Sequence, residues 1–185
     1  MRQVIYSQMV SVDGYIEDQN GSIDWSKPDE EVFQYIIDQE KMVDTHLYGR
    51  KTYENMAGHW PYVLNDPESS SQDKEWAHMW VDRKKVVFSR TLAEVEWNSR
   101  IVKNNIQEEI EKEKDMPGKD LSLGGAIIAQ TLMGLDVIDE YWLYVHPVTL
   151  GGGKPMFHKQ LTLQLAEARS FASGIVLLRY RKGEE

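Results

Sequence analysis

The chain has 185 residues, 41% of them hydrophobic, enough for one well-buried core, and 30 acidic against 21 basic residues give a formal charge of -9. That balance repels polyanions and sets nucleic acid aside as a partner. With no cysteine in the chain, disulfides, thiolate catalysis and cysteine-ligated zinc are excluded, and a reducing compartment such as the cytoplasm is the comfortable setting.

The opening "MRQVIYSQMVSVDGY" has one early cation, but Gln3, Ser7, Gln8 and Ser11 interrupt its apolar residues before a signal segment could form. No window approaches the roughly 18 consecutive apolar residues of a membrane helix. The expectation is one soluble domain over residues 1–185.

Residues 3–12, rich in β-branched side chains, predict a first strand ended by the turn pair Asp13-Gly14. A second turn pair, Asn20-Gly21, folds the following loop back on itself. Helical spacing of Phe33, Ile36 and Ile37 predicts a helix from near Pro28 to about Val43. "THLYG" then reads as a short strand and "RKTYENMA" as a helix that opens directly from it at Gly49.

Residues 58–80, with Pro61, Pro67 and Ser69-Ser70-Ser71, predict an extended loop followed by a short helix carrying Trp76, Met79 and Trp80. "KKVVFS" and the weaker "RIVK" are strands. "NIQEEIEKEKDM" is a charged helix whose spacing favours a solvated face. "KDLSLGGAIIAQTLMG" repeats the strand, glycine and helix design at Gly124-Gly125. "VIDEYWLYVHPVTLG" and "GIVLLRYRK" read as C-terminal strands with an antiparallel look. Together these elements predict an α/β fold with a mixed sheet.

The chemistry gathers at strand-to-helix corners. A helix N-terminus exposes unpaired backbone N–H groups and a partial positive charge, and glycine lets an anion approach closely. At Gly124-Gly125 the main chain alone could hold pyrophosphate, although a tight turn explains the glycines equally well. At Gly49, the residues Arg50, Lys51 and Thr52 add two cations and a hydroxyl. Cations there oppose the helix dipole, so an anionic ligand is a sensible compensation. A third corner, Ser89-Arg90, offers a guanidinium suited to a ribose 2′-phosphate, or a solvated arginine in a turn. Ligands of open α/β sheets collect at such strand ends.

"MVSVDGYIE", "HLYGRKTYE", "FSRTL", "LSLGGAIIAQTL" and "HPVTLGGGKPMF" stand in the order and rough spacing of the dihydrofolate-reductase-like superfamily. The chain most resembles the branch containing the C-terminal reductase domain of the bifunctional riboflavin-biosynthesis deaminase/reductase. That resemblance covers nearly the whole chain and implies a three-layer α/β sandwich, its mixed central sheet carrying helices on both faces. It also implies NADPH as cofactor, held by Gly49, Arg50, Lys51, Thr52, Ser89, Arg90, Gly124 and Gly125. Asp13 and Gly14 would belong to the loop covering the nicotinamide, and Asp13 and Asp29 would be the catalytic carboxylates.

Asp29 precedes Phe33 by four residues, on the face shared with Ile36 and Ile37, where an apolar pocket would raise its pKa as suits a proton donor. Ser26-x-x-Asp29 with Pro28 reads equally as a helix-capping arrangement. Trp25, Gly14, Asp13, Asp29 and the Gly49 corner would line the site of a flat nitrogen heterocycle, a small molecule. The leading function is an NADPH-dependent reductase of the 5-amino-6-(5-phosphoribosylamino)uracil reductase type. The alternatives are a dihydrofolate or pterin reductase and a nucleotide-binding protein without turnover. The family also suggests a homodimer. "GGGK" at residues 151–154 lacks the spacing of a phosphate loop and reads as a bulged turn. The five histidines lack metal-ligand spacing and read as structural or solvated.

Overall fold

A computed structural model of the chain describes residues 1–183. The strands are β1 (Val4–Ser11), β2 (Tyr15–Glu17), β3 (Val43–Gly49), β4 (Lys84–Phe88), β5 (Ser99–Val102), β6 (Asp120–Gly124), β7 (Glu140–His146), β8 (Lys154–Pro155), β9 (Leu163–Ser170) and β10 (Val176–Lys182). The α-helices are α1 (Glu30–Glu40), α2 (Arg50–Ala57), α3 (Trp60–Val63), α4 (Ser71–Asp82), α5 (Ile106–Asp115) and α6 (Ala126–Gly134), and Asp24–Ser26 forms a single 3-10 turn. Eight of these strands make a mixed sheet, and the fold is an α/β sandwich. Contacts gather the chain into two compact units, one of residues 1–4 and 34–137, the other of residues 5–33 and the chain from 138 onward.

The first unit carries strands in the order β5-β4-β3-β6, each neighbouring pair parallel. Its strands read as near-continuous buried runs, Thr45 to Tyr48 and Lys85 to Phe88, as expected of parallel strands covered on both faces. Ile128, Ala129, Leu132 and Met133 of α6 and Ile110 of α5 complete this core. Register sets Gly49 opposite Phe88 and Tyr48 opposite Gly124. Because parallel strands all end on one edge, the corners that follow β3, β4 and β6 stand on that edge together.

One expectation for this unit needs correction. Residues 58–80 are mostly helical, α3 and a 12-residue α4, rather than an extended loop with a short helix. A capping box makes the difference: the Asp73 amide donates to Ser70 Oγ at 3.1 Å, and the Ser70 amide donates to the Asp73 carboxylate at 3.3 Å. Helix α5 does present the expected solvated face, with Gln107, Glu108, Glu111 and Lys112 exposed, but the charge pattern hid the full burial of Glu113. Its carboxylate accepts from Lys84 at 2.5 Å, Arg100 at 2.7 Å and Arg2 at 3.3 Å. Burial alone would raise this carboxyl, but the Lys84 and Arg100 contacts bring it below its ordinary value.

The second unit orders its strands β1-β7-β10-β9, with β1 and β7 parallel and the other pairs antiparallel. Edge strand β9 carries no clear expectation from its sequence, since most of "LQLAEARS" is exposed. Short strands β2 and β8 form a separate antiparallel pair, closed by Lys154 on Glu17 at 2.6 Å. Gly153 stands so close to the backbone of Glu17 and Asp18 that a side chain there would collide with it, which accounts for the "GGGK" turn. Helix α1 starts at Glu30 and stops at Glu40, inside the expected span, and Val43 already belongs to β3. Among the described residues no helix is long and apolar enough to cross a membrane, and no His, Cys, Asp or Glu cluster could hold a metal ion.

Candidate functional site

In the first unit, the corners after β3 and β6 are one place. Gly49 caps α2 with extended backbone (φ -80°, ψ 166°), and Gly125 caps α6 at φ 105°, a conformation that favours glycine. A β-carbon at Gly125 would overlap the Thr52 hydroxyl, and one at Gly124 would lie 2.7 Å from Cε1 of the Tyr48 ring. These glycines therefore answer a close approach by neighbouring side chains. At Gly49 the nearest atom to such a carbon, on Ile128, is an ordinary 3.5 Å away, so sterics do not demand that glycine. The N-termini of α2 and α6 both open at this edge with no acidic residue in their first turns.

Three cations surround these helix starts in sequence. Arg50, Lys51 and Arg90 are all exposed. Arg50 lies 4.0 Å from Glu54, one turn on in α2; Lys51 and Arg90 form no ion pair with any described residue. Ser89 Oγ accepts from the amides of Thr91 at 3.2 Å and Leu92 at 3.0 Å, so it shapes the turn that presents Arg90. Open amides and unpaired cations on one strand edge suit a polyanion such as a pyrophosphate.

Beneath this edge lies a buried polar chain. Glu40 accepts from His46 Nε2 at 3.1 Å, Arg83 at 2.9 Å and Ser122 at 3.1 Å. His46 Nδ1 meets the Tyr48 hydroxyl at 2.9 Å, and that hydroxyl also accepts from the Trp80 indole at 3.2 Å. With the indole donating, Tyr48 donates to Nδ1, which leaves the His46 proton on Nε2, facing Glu40. Burial pushes the Tyr48 hydroxyl far above its ordinary pKa, so it stays a neutral donor. The same chain holds the ring that packs on Gly124.

The second unit holds Asp13, Gly14, Trp25 and Asp29. Asp13 is exposed, and its carboxylate accepts from the amides of Gly151 at 2.8 Å and Leu150 at 3.1 Å. The Ser11 hydroxyl and the Gly151 amide lower it to about 2, so it is a carboxylate that ties two loops together. Gly14 turns at φ 85° and its carbonyl accepts from Met156 at 3.0 Å. Asp29 is exposed, without the apolar enclosure expected for it, and Oδ1 accepts from the Val32 amide at 2.8 Å. It is the residue that caps α1; Ser26 instead donates to the Ile23 carbonyl within the 3-10 turn.

Trp25 donates to the Ser22 carbonyl at 3.2 Å and stands edge-on to His146, ring centroids 5.7 Å apart at 89°. His146 ends β7 opposite Ser11 and is 4% exposed. Its Nε2 lies 3.3 Å from Met9 Sδ. Burial lowers its pKa below the ordinary histidine value, and the charge of Asp29 pulls the other way.

The chain matches the family described as RibD C-terminal domain over residues 2–177. It belongs to that family. The uncharacterized protein YyaP of Bacillus subtilis is 37% identical over 184 residues, covering 97% of this chain and 94% of YyaP. Among solved structures, this RibD-type chain superposes with a TM-score of 0.65 and 15% identity on a Thermotoga maritima diaminohydroxyphosphoribosylaminopyrimidine deaminase/5-amino-6-(5-phosphoribosylamino)uracil reductase, covering 98% of this chain and 57% of that one. A dihydrofolate reductase from Enterococcus faecalis, complexed with NADP(H), gives 0.63 at 12% identity, covering 98% and 97%. At these identities the likeness concerns the fold, which is dihydrofolate-reductase-like.

For a RibD-type chain, then, the motifs "GRKTYE" and "LGGA" lie where their sequence suggests, side by side on one strand edge. His146 and the Glu40-His46-Tyr48 chain escape sequence reasoning. A histidine gives no periodic signal, and its partners Trp25, Asp29 and Met9 are more than a hundred residues away along the chain.

Proposed function

We propose that this protein is an NADPH-dependent reductase of a flat nitrogen heterocycle, of the 5-amino-6-(5-phosphoribosylamino)uracil reductase type. One observation carries the reading: the paired glycine corners at Gly49 and Gly124-Gly125 meet on an edge that presents Lys51 and Arg90 without carboxylate partners among the described residues. Family membership supports it. Residues Gly49 to Thr52 and Gly124-Gly125 would hold the dinucleotide phosphates through backbone amides, with Arg50 and Lys51 offsetting their charge. Arg90, held out by the Ser89 turn, would read a 2′-phosphate with its planar fork of donors. When bound, NADPH supplies the hydride. Asp29, at the start of α1, offers an exposed carboxylate to a ring N–H, and Trp25 a flat apolar wall beside it. Asp13 keeps the loop at Leu150-Gly151 in place. A small heterocycle is the partner in this reading, and the protein acts as a homodimer.

Tryptophan fluorescence titrated with NADPH and NADH, followed by an assay of NADPH oxidation with 5-amino-6-(5-phosphoribosylamino)uracil and with dihydrofolate, tests the reading. Tighter binding of NADPH and turnover of the uracil are expected. Turnover of dihydrofolate alone would reassign the substrate, and failure of both nucleotides to bind would remove the reductase reading.

A further inference from the structure

His146 is 4% exposed, yet its Nδ1 is not sealed from solvent and meets no oxygen or nitrogen partner among the described residues. A packed ring that keeps one open nitrogen offers a fixed hydrogen-bonding atom to a ligand. Its one hydrogen-bond contact among the described residues is the Met9 thioether, 3.3 Å from Nε2. Sulfur of this kind only accepts, which places the proton on Nε2 and leaves Nδ1 with a free lone pair. Met9 and Ser11 alternate along β1, and the backbone around His146 is fixed: Val148 donates to the His146 carbonyl at 2.7 Å, and Val12 to the Val148 carbonyl at 2.8 Å. Edge-on contact with Trp25 sets the plane of the ring.

We infer that His146 is a ligand-contacting residue whose Nδ1 accepts a hydrogen bond from an N–H of the bound heterocycle, beside the edge taken by Asp29. This rests on the proposed reductase reading for the identity of the site and deepens it toward substrate class. Two acceptors, one anionic and one neutral, select a planar ring bearing at least two N–H donors, as an aminopyrimidine does. A ring presenting only carbonyl oxygens there would leave both acceptors unpaired, which binding sites penalise strongly. Asp29, which caps α1, is the charged group that acts on His146; Met9 on β1 and Trp25 on the 3-10 turn carry no charge. Protonation of the ring removes the lone pair, so ligand affinity falls as His146 becomes charged.

Imidazole resonances of the isotope-labelled full chain, with those of His146 assigned by loss in His146→Gln, are followed during titration with 5-amino-6-(5-phosphoribosylamino)uracil and separately with dihydrofolate. A saturable shift of the His146 signals is expected with the uracil. His146→Leu weakens it roughly tenfold, as loss of one hydrogen bond implies. His146→Gln, which restores an acceptor, recovers most of that loss and removes the decline at low pH. A merely structural histidine would show neither the rescue nor the pH effect. If no probe moves the His146 signals, or if His146→Leu binds the uracil as the parent does, the inference is overturned while NADPH binding still stands. If NADPH fails to bind but the uracil still moves His146, the inference stands and the reductase reading falls.

Discussion

The ring of Tyr48 lies against the α-carbon of Gly124, leaving 2.7 Å between Cε1 and the place a β-carbon would occupy. Tyr48 cannot step back, because its hydroxyl is bonded to His46 and Trp80 in a buried chain. Gly124→Ala is therefore expected to lower stability by about 1–3 kcal/mol and to weaken NADPH binding as well. Denaturant unfolding and fluorescence titration of the same variant check both effects.

Arg90 is exposed and forms no ion pair among the described residues. Arg90→Ala should reduce the preference for NADPH over NADH by about 1.5–3 kcal/mol, the worth of a charge-assisted hydrogen bond, while NADH affinity stays unchanged. Parallel titrations with the two nucleotides measure the difference. Equal losses for both would assign Arg90 to a phosphate they share.

Asp29 both caps α1 and faces outward, and two substitutions separate the roles. Asp29→Ala removes the cap and is expected to cost about 1 kcal/mol of stability. Asp29→Asn keeps a capping oxygen but loses the charge, so the melting temperature should hold while kcat/KM drops. An unchanged kcat/KM in the Asn variant would make this residue a cap and nothing more.

Lys85 is fully buried in β4, donates to the carbonyls of Trp97 at 2.6 Å and Arg83 at 2.8 Å, and lies 4.2 Å from the centroid of Trp80. Burial lowers its pKa to about 7 from 10.5. In the unfolded chain the amine keeps its proton up to its ordinary value, so between about pH 7 and 10.5 the unfolded state binds more protons than the folded one. This group's contribution to folding stability consequently rises with pH across that window and is flat below it. Urea unfolding at pH 7 and pH 9 should show the rise in the parent chain and its loss in Lys85→Met.

How far the sequence speaks varies with the range of the interaction. The corner at Gly49 and the helix Arg50–Ala57 are legible to the residue, because glycine chemistry and helical period are local signals. Strand β9 is not: Ala, Glu and Arg alternate without an apolar face, and its pairing with β10 makes it a strand. The serine-rich run at residues 69–71 has the composition of a loop, yet Ser70 and Asp73 start a helix. Glu113 is hidden for a different reason, since the cations that let it be buried come from Arg2, Lys84 and Arg100. Asp29 was legible as a cap in kind, though Asp29 itself and not Ser26 supplies the oxygen.

The path of the chain between its two units bears on the order in which the protein can be made. Every residue of the glycine corners, from Gly49 to Gly125, lies in one uninterrupted stretch that ends by residue 137. The unit holding Asp29 and His146 waits for β10, the partner of β7, which is the last strand to be synthesised. On a ribosome, domains fold as their chain emerges, at about 5–20 residues per second. The parallel half, with its glycine corners, can thus take shape seconds before the half that carries Asp29 and His146. A nascent chain whose residues through 137 have all left the ribosome should already resist proteolysis between residues 43 and 134, while residues 5–33 remain open to cleavage.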